Sequence, residues 1–194
     1  MHLFKSVVSL GAVVAVTACG GVESNEGLAM RESALVTGTS QGCTFTVSSA
    51  LRQPGPFPYI FDVTVTRLAS STCAWGAGSV LVGSSNAVEP TVSLTANELG
   101  VAVAYTYGKY ARSLELKHLA PDTLTVVRSS TLYPTGVQYS VSSGDLAIGP
   151  DGTTLTVSGI KNGPIVGETG SGSSYVASYP DFFTSTTAPS IVAF

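Results

Sequence analysis

The sequence predicts an all-β fold of antiparallel sheets built from short strands, and three observations point to it. Residues 99–130 fall into three strand-like runs separated by two turns. In the first run Val101, Val103, Tyr105 and Tyr107 take one face, and Ala102, Ala104 and Thr106 the other; a strand apolar on both faces is buried on both. The second run alternates, with Leu114 and Leu116 on one face and Glu115 and Lys117 on the other, the period of a strand with one face in a core. Composition agrees: Gly, Ser and Thr are abundant and charged residues make up only 11%, a balance suited to many strands and turns.

The remaining elements follow the same logic. Cys43, Phe45 and Val47 alternate with Thr44 and Thr46, so residues 43–49 form the first strand of the body. A Pro-rich turn at 54–58 leads into a long strand at 59–68. Cys73, Trp75 and Gly76 mark a loop, followed by strands at 79–83 and 91–95. After 99–107 and 112–119 comes Ala120-Pro121-Asp122-Thr123. There Pro121 presets φ and Asp122 can close a side-chain turn. Residues 124–127 are β-branched and apolar again. Pro150-Asp151-Gly152 predicts a hairpin turn into the strand ending at Val157. The runs at 164–166, 175–179 and 190–194 complete the body, with a Gly/Ser loop at 167–174. Upstream, residues 20–42 read as a tether, small and polar with Glu23, Glu26 and Glu32 and without an apolar stripe.

A faint internal repeat runs through the body. Residues 80–85 align with 125–130 at a step of about 45 residues, and at the same step 101–103 lies over 146–148. Pro90-Thr91 lies over Pro134-Thr135 one residue off, and 67–69 over 118–120 with a larger gap. A third copy begins near Ile148. These units resemble β-propeller blades. The resemblance implies about three four-stranded units plus a trailing strand, fewer than a propeller usually needs. A β-sandwich is the competing architecture.

The N-terminus carries Lys5, an apolar run at 6–16, and then Val16-Thr17-Ala18-Cys19-Gly20-Gly21. The run is too short for a membrane-spanning helix of about 20 residues, and the ordered pattern resembles a bacterial lipoprotein signal peptide. The resemblance implies cleavage after residue 18, a lipid on Cys19 and a membrane partner through that lipid. Gly20 after the cysteine implies passage to the outer membrane. Giving Cys19 to lipid leaves Cys43 and Cys73. In an oxidising compartment these default to a disulfide, closing a loop of about 30 residues worth roughly 3 kcal/mol. Two distant cysteines and the single later histidine cannot make a zinc set.

Candidate chemistry is sparse. Gly38-Thr39-Ser40-Gln41-Gly42 matches the nucleophile-elbow pattern, which has meaning only at a strand-to-helix turn, and it precedes an all-β body. His118 is the one histidine available as a base; it shares a strand face with Leu114 and Leu116 and reads as half-exposed. Asp62, Glu115, Asp145, Asp151 and Asp181 could supply a glycosidase-like pair, but no spacing selects two. Nothing points to a cofactor, a metal or, at net charge −3, nucleic acid. Tyr105, Tyr107 and Tyr110 cluster at one hairpin, and Tyr133, Tyr139, Tyr175 and Tyr179 fall at loop or strand ends. Tyrosine offers contact area with a polar handle, so the trio is the candidate ligand surface for a glycan or protein.

The expectation is therefore a non-enzymatic envelope lipoprotein that binds a partner through residues 43–194. The alternatives are an envelope hydrolase using His118 or a carboxylate pair, and a small outer-membrane β-barrel, suggested by the terminal Ile191-Val192-Ala193-Phe194.

Overall fold

The computed structural model describes residues 36–53 and 55–194. The stretch read as a signal peptide, Cys19 and most of the stretch read as a tether lie outside these residues. The described residues are all-β, with thirteen strands in three sheets.

The first sheet holds β1 (Val36–Ser40), β2 (Cys43–Gln53), β3 (Ile60–Arg67) and β4 (Gly78–Asn86), in chain order. The second holds β5 (Val92–Asn97), β6 (Gly100–Tyr107), β7 (Ser113–Leu119) and β8 (Val126–Leu132), again in chain order. The third holds β9 (Asp145–Ile148), β10 (Leu155–Ile160), β11 (Glu168–Gly170), β12 (Ser174–Tyr179) and β13 (Ser190–Ala193). Its spatial order is β11-β13-β12-β10-β9, and only β11 and β13 pair in parallel.

The second sheet is the middle layer. Val101, Val103 and Tyr105 of β6 join Phe45 and Val47 of β2 and Val63 and Val65 of β3 in one core. From the opposite face Ala102, Ala104, Leu114 and Leu116 join Leu155 and Val157 of β10 and Tyr175, Ala177 and Tyr179 of β12 in the other. The doubly apolar run at β6 is thus buried on both faces, as its pattern requires. The first strands of the sheets also meet: β1 packs on β5, and β5 on β9.

The repeat corresponds to structure in part. Residues 80–85 and 125–130 fall in or beside the fourth strands, β4 and β8. Residues 67–69 and 118–120 end the third strands, β3 and β7. The overlay of 101–103 on 146–148 does not hold, because β6 is the second strand of its sheet and β9 the first. The third sheet breaks the pattern because β13 inserts between β12 and β11.

Two expectations are corrected. The body begins before Cys43: β1 occupies part of the stretch assigned to the tether and pairs with β2, Val36 opposite Val47. Its Val-Thr-Gly-Thr-Ser sequence hides this, since one apolar residue makes no stripe. Gly38 supplies the reason it fits. A Cβ there would lie 2.7 Å from Leu94 Cδ2, so the missing side chain lets β1 lie against β5. Gln41 and Gly42 both have positive φ, 49° and 76°, the geometry of a two-residue hairpin turn. The barrel alternative also fails. None of the three sheets is closed into a barrel, and β13 is an internal strand of an open sheet.

The disulfide is present: Cys43 bonds to Cys73, with Cα atoms 4.4 Å apart. It ties the start of β2 to the β3–β4 loop. Arg67 anchors that loop, donating from Nε to the Gly76 carbonyl at 2.8 Å and from Nη1 to the Pro121 carbonyl at 2.7 Å, with its guanidinium over the Trp75 ring.

Candidate functional site

A concavity lies beside β8. This strand is the outer member of its sheet, so one row of its backbone groups faces no strand among the described residues. Alongside runs the segment joining β12 to β13. Between them lie two adjoining cavities of about 280 and 230 Å³ that share Ser130, Ala188 and Pro189. The larger is lined by Arg128, Ser129, Ser130, Tyr179, Phe182 and the hydroxyl run Ser185, Thr186 and Thr187. The smaller continues along β8 past Leu132 and Tyr133 to Val166 and Ile191.

Local interactions set the shape of this cleft. The chain turns at Asp181, whose φ is 51°, and the Asp181 carbonyl accepts the amides of Thr184 at 3.0 Å and Ser185 at 2.7 Å. The Phe182 amide donates to the Thr153 carbonyl at 3.0 Å. Phe182 stacks edge-on against Tyr179 and Phe183, with centroids 5.8 and 5.2 Å apart. Arg128 donates from Nη1 to the Phe182 carbonyl, and its guanidinium lies over the Phe182 ring. The result is a slot with an aromatic floor, one cation and a hydroxyl rim. Each hydroxyl both donates and accepts, which suits a ligand rich in hydroxyl or amide groups.

The sequence analysis did not select Arg128, Phe182 or Thr187. The signal available was a lone arginine in the otherwise apolar and hydroxylic 126–132, and paired phenylalanines followed by hydroxyl residues before the last strand.

The tyrosine trio is not one surface. Tyr105 is 2% exposed and sits in the core between the first and second sheets. Its hydroxyl donates to Glu115 Oε2 at 3.0 Å, and burial, then the Glu115 charge, pushes its pKa up. Tyr107 is half-buried, its pKa raised by burial and by neighbouring Tyr133. Tyr110 is 74% exposed on the β6–β7 turn. Alternation along β6 put Tyr105 on the buried face, so only Tyr110 of the three is free for a ligand.

His118 is 5% exposed, against the expectation of a half-exposed side chain. The aromatics of the β12–β13 segment cover it: Phe183 at 5.2 Å and Phe182 at 5.9 Å between ring centroids. Its Nδ1 has no hydrogen-bond partner. Burial, then the positive charge of Arg128, lowers its pKa, and a backbone contact to Leu99 works the other way. It does not line the cleft.

The five carboxylates are dispersed. Asp62 forms a bidentate ion pair with Arg52, which lowers its pKa. Glu115 binds Lys117 as well as Tyr105. Asp145 begins β9. Asp151 accepts from the Thr154 hydroxyl at 2.6 Å and from the amides of Thr153 and Thr154 at 2.9 Å, which lowers its pKa to about 2. Asp181 forms the turn described above, and none of the five lines the cleft. Ser40 of the nucleophile-like pattern is fully buried at the end of β1, with a hairpin and no helix after it. Among the described residues no group of three or more His, Cys, Asp or Glu gathers as metal ligands would.

No protein-family model, curated protein or solved structure matches the chain.

Proposed function

We propose that the chain is a cell-envelope lipoprotein, anchored in the outer membrane by lipid on Cys19, whose all-β domain binds a partner without turning it over. The observation that carries this reading is the cleft beside β8, with its aromatic floor and its rim of Ser129, Ser130, Ser185, Thr186 and Thr187. Hydroxyl side chains hold a sugar polymer through paired hydrogen bonds, and the buried Tyr179 and Phe182 close the base of the cleft beneath them. Of the titratable side chains weighed as catalysts, His118 lies in the core, Asp62 and Glu115 are in ion pairs and Asp151 closes a turn. The Val16–Cys19 motif supports the anchor, and the Cys43–Cys73 bond supports an oxidising compartment.

The test is a titration of the soluble body, from Glu32 onward, with envelope and extracellular polysaccharide fragments. Saturable binding is expected, lost at least tenfold when Ala188→Trp fills the cleft, with the melting temperature unchanged and no product released. Binding that survives Ala188→Trp overturns the site. The unpaired edge of β8 favours a second ligand class, an extended protein segment added as a further strand. Capture of a peptide in place of glycans would select it. Acyl labelling of wild type against Cys19→Ala tests the anchor, and protease access on intact cells tests which way the domain faces.

A further inference from the structure

Both ends of the sheets expose apolar side chains: Leu68, Leu99, Val126 and Val127 at one, and at the other a cluster in which aromatic rings predominate. β1 starts at Val36 and runs antiparallel to β2, so the chain joins the fold from the end where β2 runs out toward the Pro-rich turn. Three other segments meet there. The Ala87 amide donates to the Tyr59 carbonyl at 2.7 Å, placing the β4–β5 link beside that turn. Lys109 Nζ sits 4.2 Å from the Phe57 ring centroid and 4.5 Å from that of Tyr110, joining the β6–β7 turn to it. The Ser140 hydroxyl donates to the Tyr110 carbonyl at 3.0 Å, bringing in the loop after β8.

These four segments expose Phe57, Tyr59, Val88, Tyr110 and Val137. Large apolar side chains held outward by separate loops at one end are not explained by packing within the chain. The charges at this end balance. Arg52 is paired with Asp62 and Lys161 with Glu168, and Lys109 and Arg112 are matched in number by Glu89 and Asp145. The turns at the opposite end carry Glu98, Asp122, Asp151 and Asp181. The cations there are Arg67, committed to backbone carbonyls, and Arg128, bound to the Phe182 carbonyl.

We propose that the end bearing Phe57, Tyr59, Val88, Tyr110 and Val137 docks into the headgroup region of the lipid bilayer, so that the body rests on the membrane in one orientation. The inference rests on the lipoprotein reading, because a lipid on Cys19 draws on the fold through Val36, which lies opposite Val47 and which the chain enters from this side. Tyrosine and phenylalanine partition into the membrane interface, and a lysine stacked on them reaches up to phosphate. The acidic turns then point away from an anionic surface. The mouth of the cleft formed by Arg128, Phe182 and Thr187 lies toward that distal end, open to a ligand.

The chain contains one tryptophan, Trp75, in the β3–β4 loop at the distal end, and this provides the test. The full acylated protein is reconstituted into vesicles of phosphatidylethanolamine with phosphatidylglycerol that carry brominated acyl chains. Fluorescence quenching is read for wild type and for the double variant Trp75→Phe, Tyr110→Trp. Quenching at position 110 is expected to exceed that at Trp75 severalfold. Adding Phe57→Asp and Val137→Asp to the double variant should lower it by at least half, without changing the melting temperature. Equal quenching at the two positions, or stronger quenching of Trp75, overturns the orientation while leaving the anchor standing. Acyl content is measured on the same sample. A Cys19 that carries no acyl group removes the anchor, and the docking proposal falls with it.

Discussion

At position 118 an imidazole is wedged against Phe182 and Phe183 with its Nδ1 unpaired. A buried base beside an arginine resists protonation, so its folded pKa lies below the unfolded value near 6.5. The unfolded chain therefore takes up the proton first as pH falls, and stability rises with pH through this window. His118 contributes fully above about pH 6.5, and that contribution is lost as pH drops toward the lower folded value. The melting temperature of wild type should fall between pH 7.5 and pH 5, and the fall should be smaller in His118→Leu. Tyr105 makes a second case. Tyr105→Phe removes the hydroxyl's bonds to Glu115 and the Val82 carbonyl and should cost about 1 kcal/mol. Tyr105→Ala empties a core position and should cost about 3–5 kcal/mol in urea unfolding. If Tyr105 were a surface contact, both would be near neutral.

At the scale of elements, β1 is the least legible strand and the one with the clearest test. Its pairing with β2 and its contact with β5 depend on Gly38 and on the turn at Gln41 and Gly42. A chain beginning at Cys43 should melt at least about 10 °C below one beginning at Glu32, since each kcal/mol shifts a domain of this size by about 2–4 °C. The Cys43–Cys73 bond constrains the neighbouring loop. Replacing both cysteines with alanine should cost about 3 kcal/mol, read as a lower urea midpoint at constant slope. The turn at 150–152 was legible because Pro, Asp and Gly each act locally. The tyrosine trio was misassigned as one surface: the doubly apolar pattern of β6 buries Tyr105 whichever face meets the first sheet, and only Tyr110 lies beyond the strand.

For the whole molecule, the middle sheet is shared by two cores. Unfolding either outer sheet uncovers one face of β6, so the body should melt in a single transition, with calorimetric and van't Hoff enthalpies equal. Leu116→Ala should cost about 2–5 kcal/mol and shift that transition without splitting it. Two resolved transitions would show that the outer sheets fold independently.

The sequence by itself determined the all-β class, the doubly buried β6, the disulfide partners once Cys19 was set aside, and the turns at 120–123 and 150–152. Each of these follows from local chemistry or from a two-residue period, which neighbouring residues state on their own. Tertiary structure alone decided that β1 belongs to the body, that β13 enters the third sheet out of order, and that His118 lies beneath Phe182 and Phe183. It also brought β8 and the hydroxyl run 185–187 together as a cleft. These features depend on which strands pair out of chain order and on how sheets stack, and no local period encodes which distant face a strand will meet.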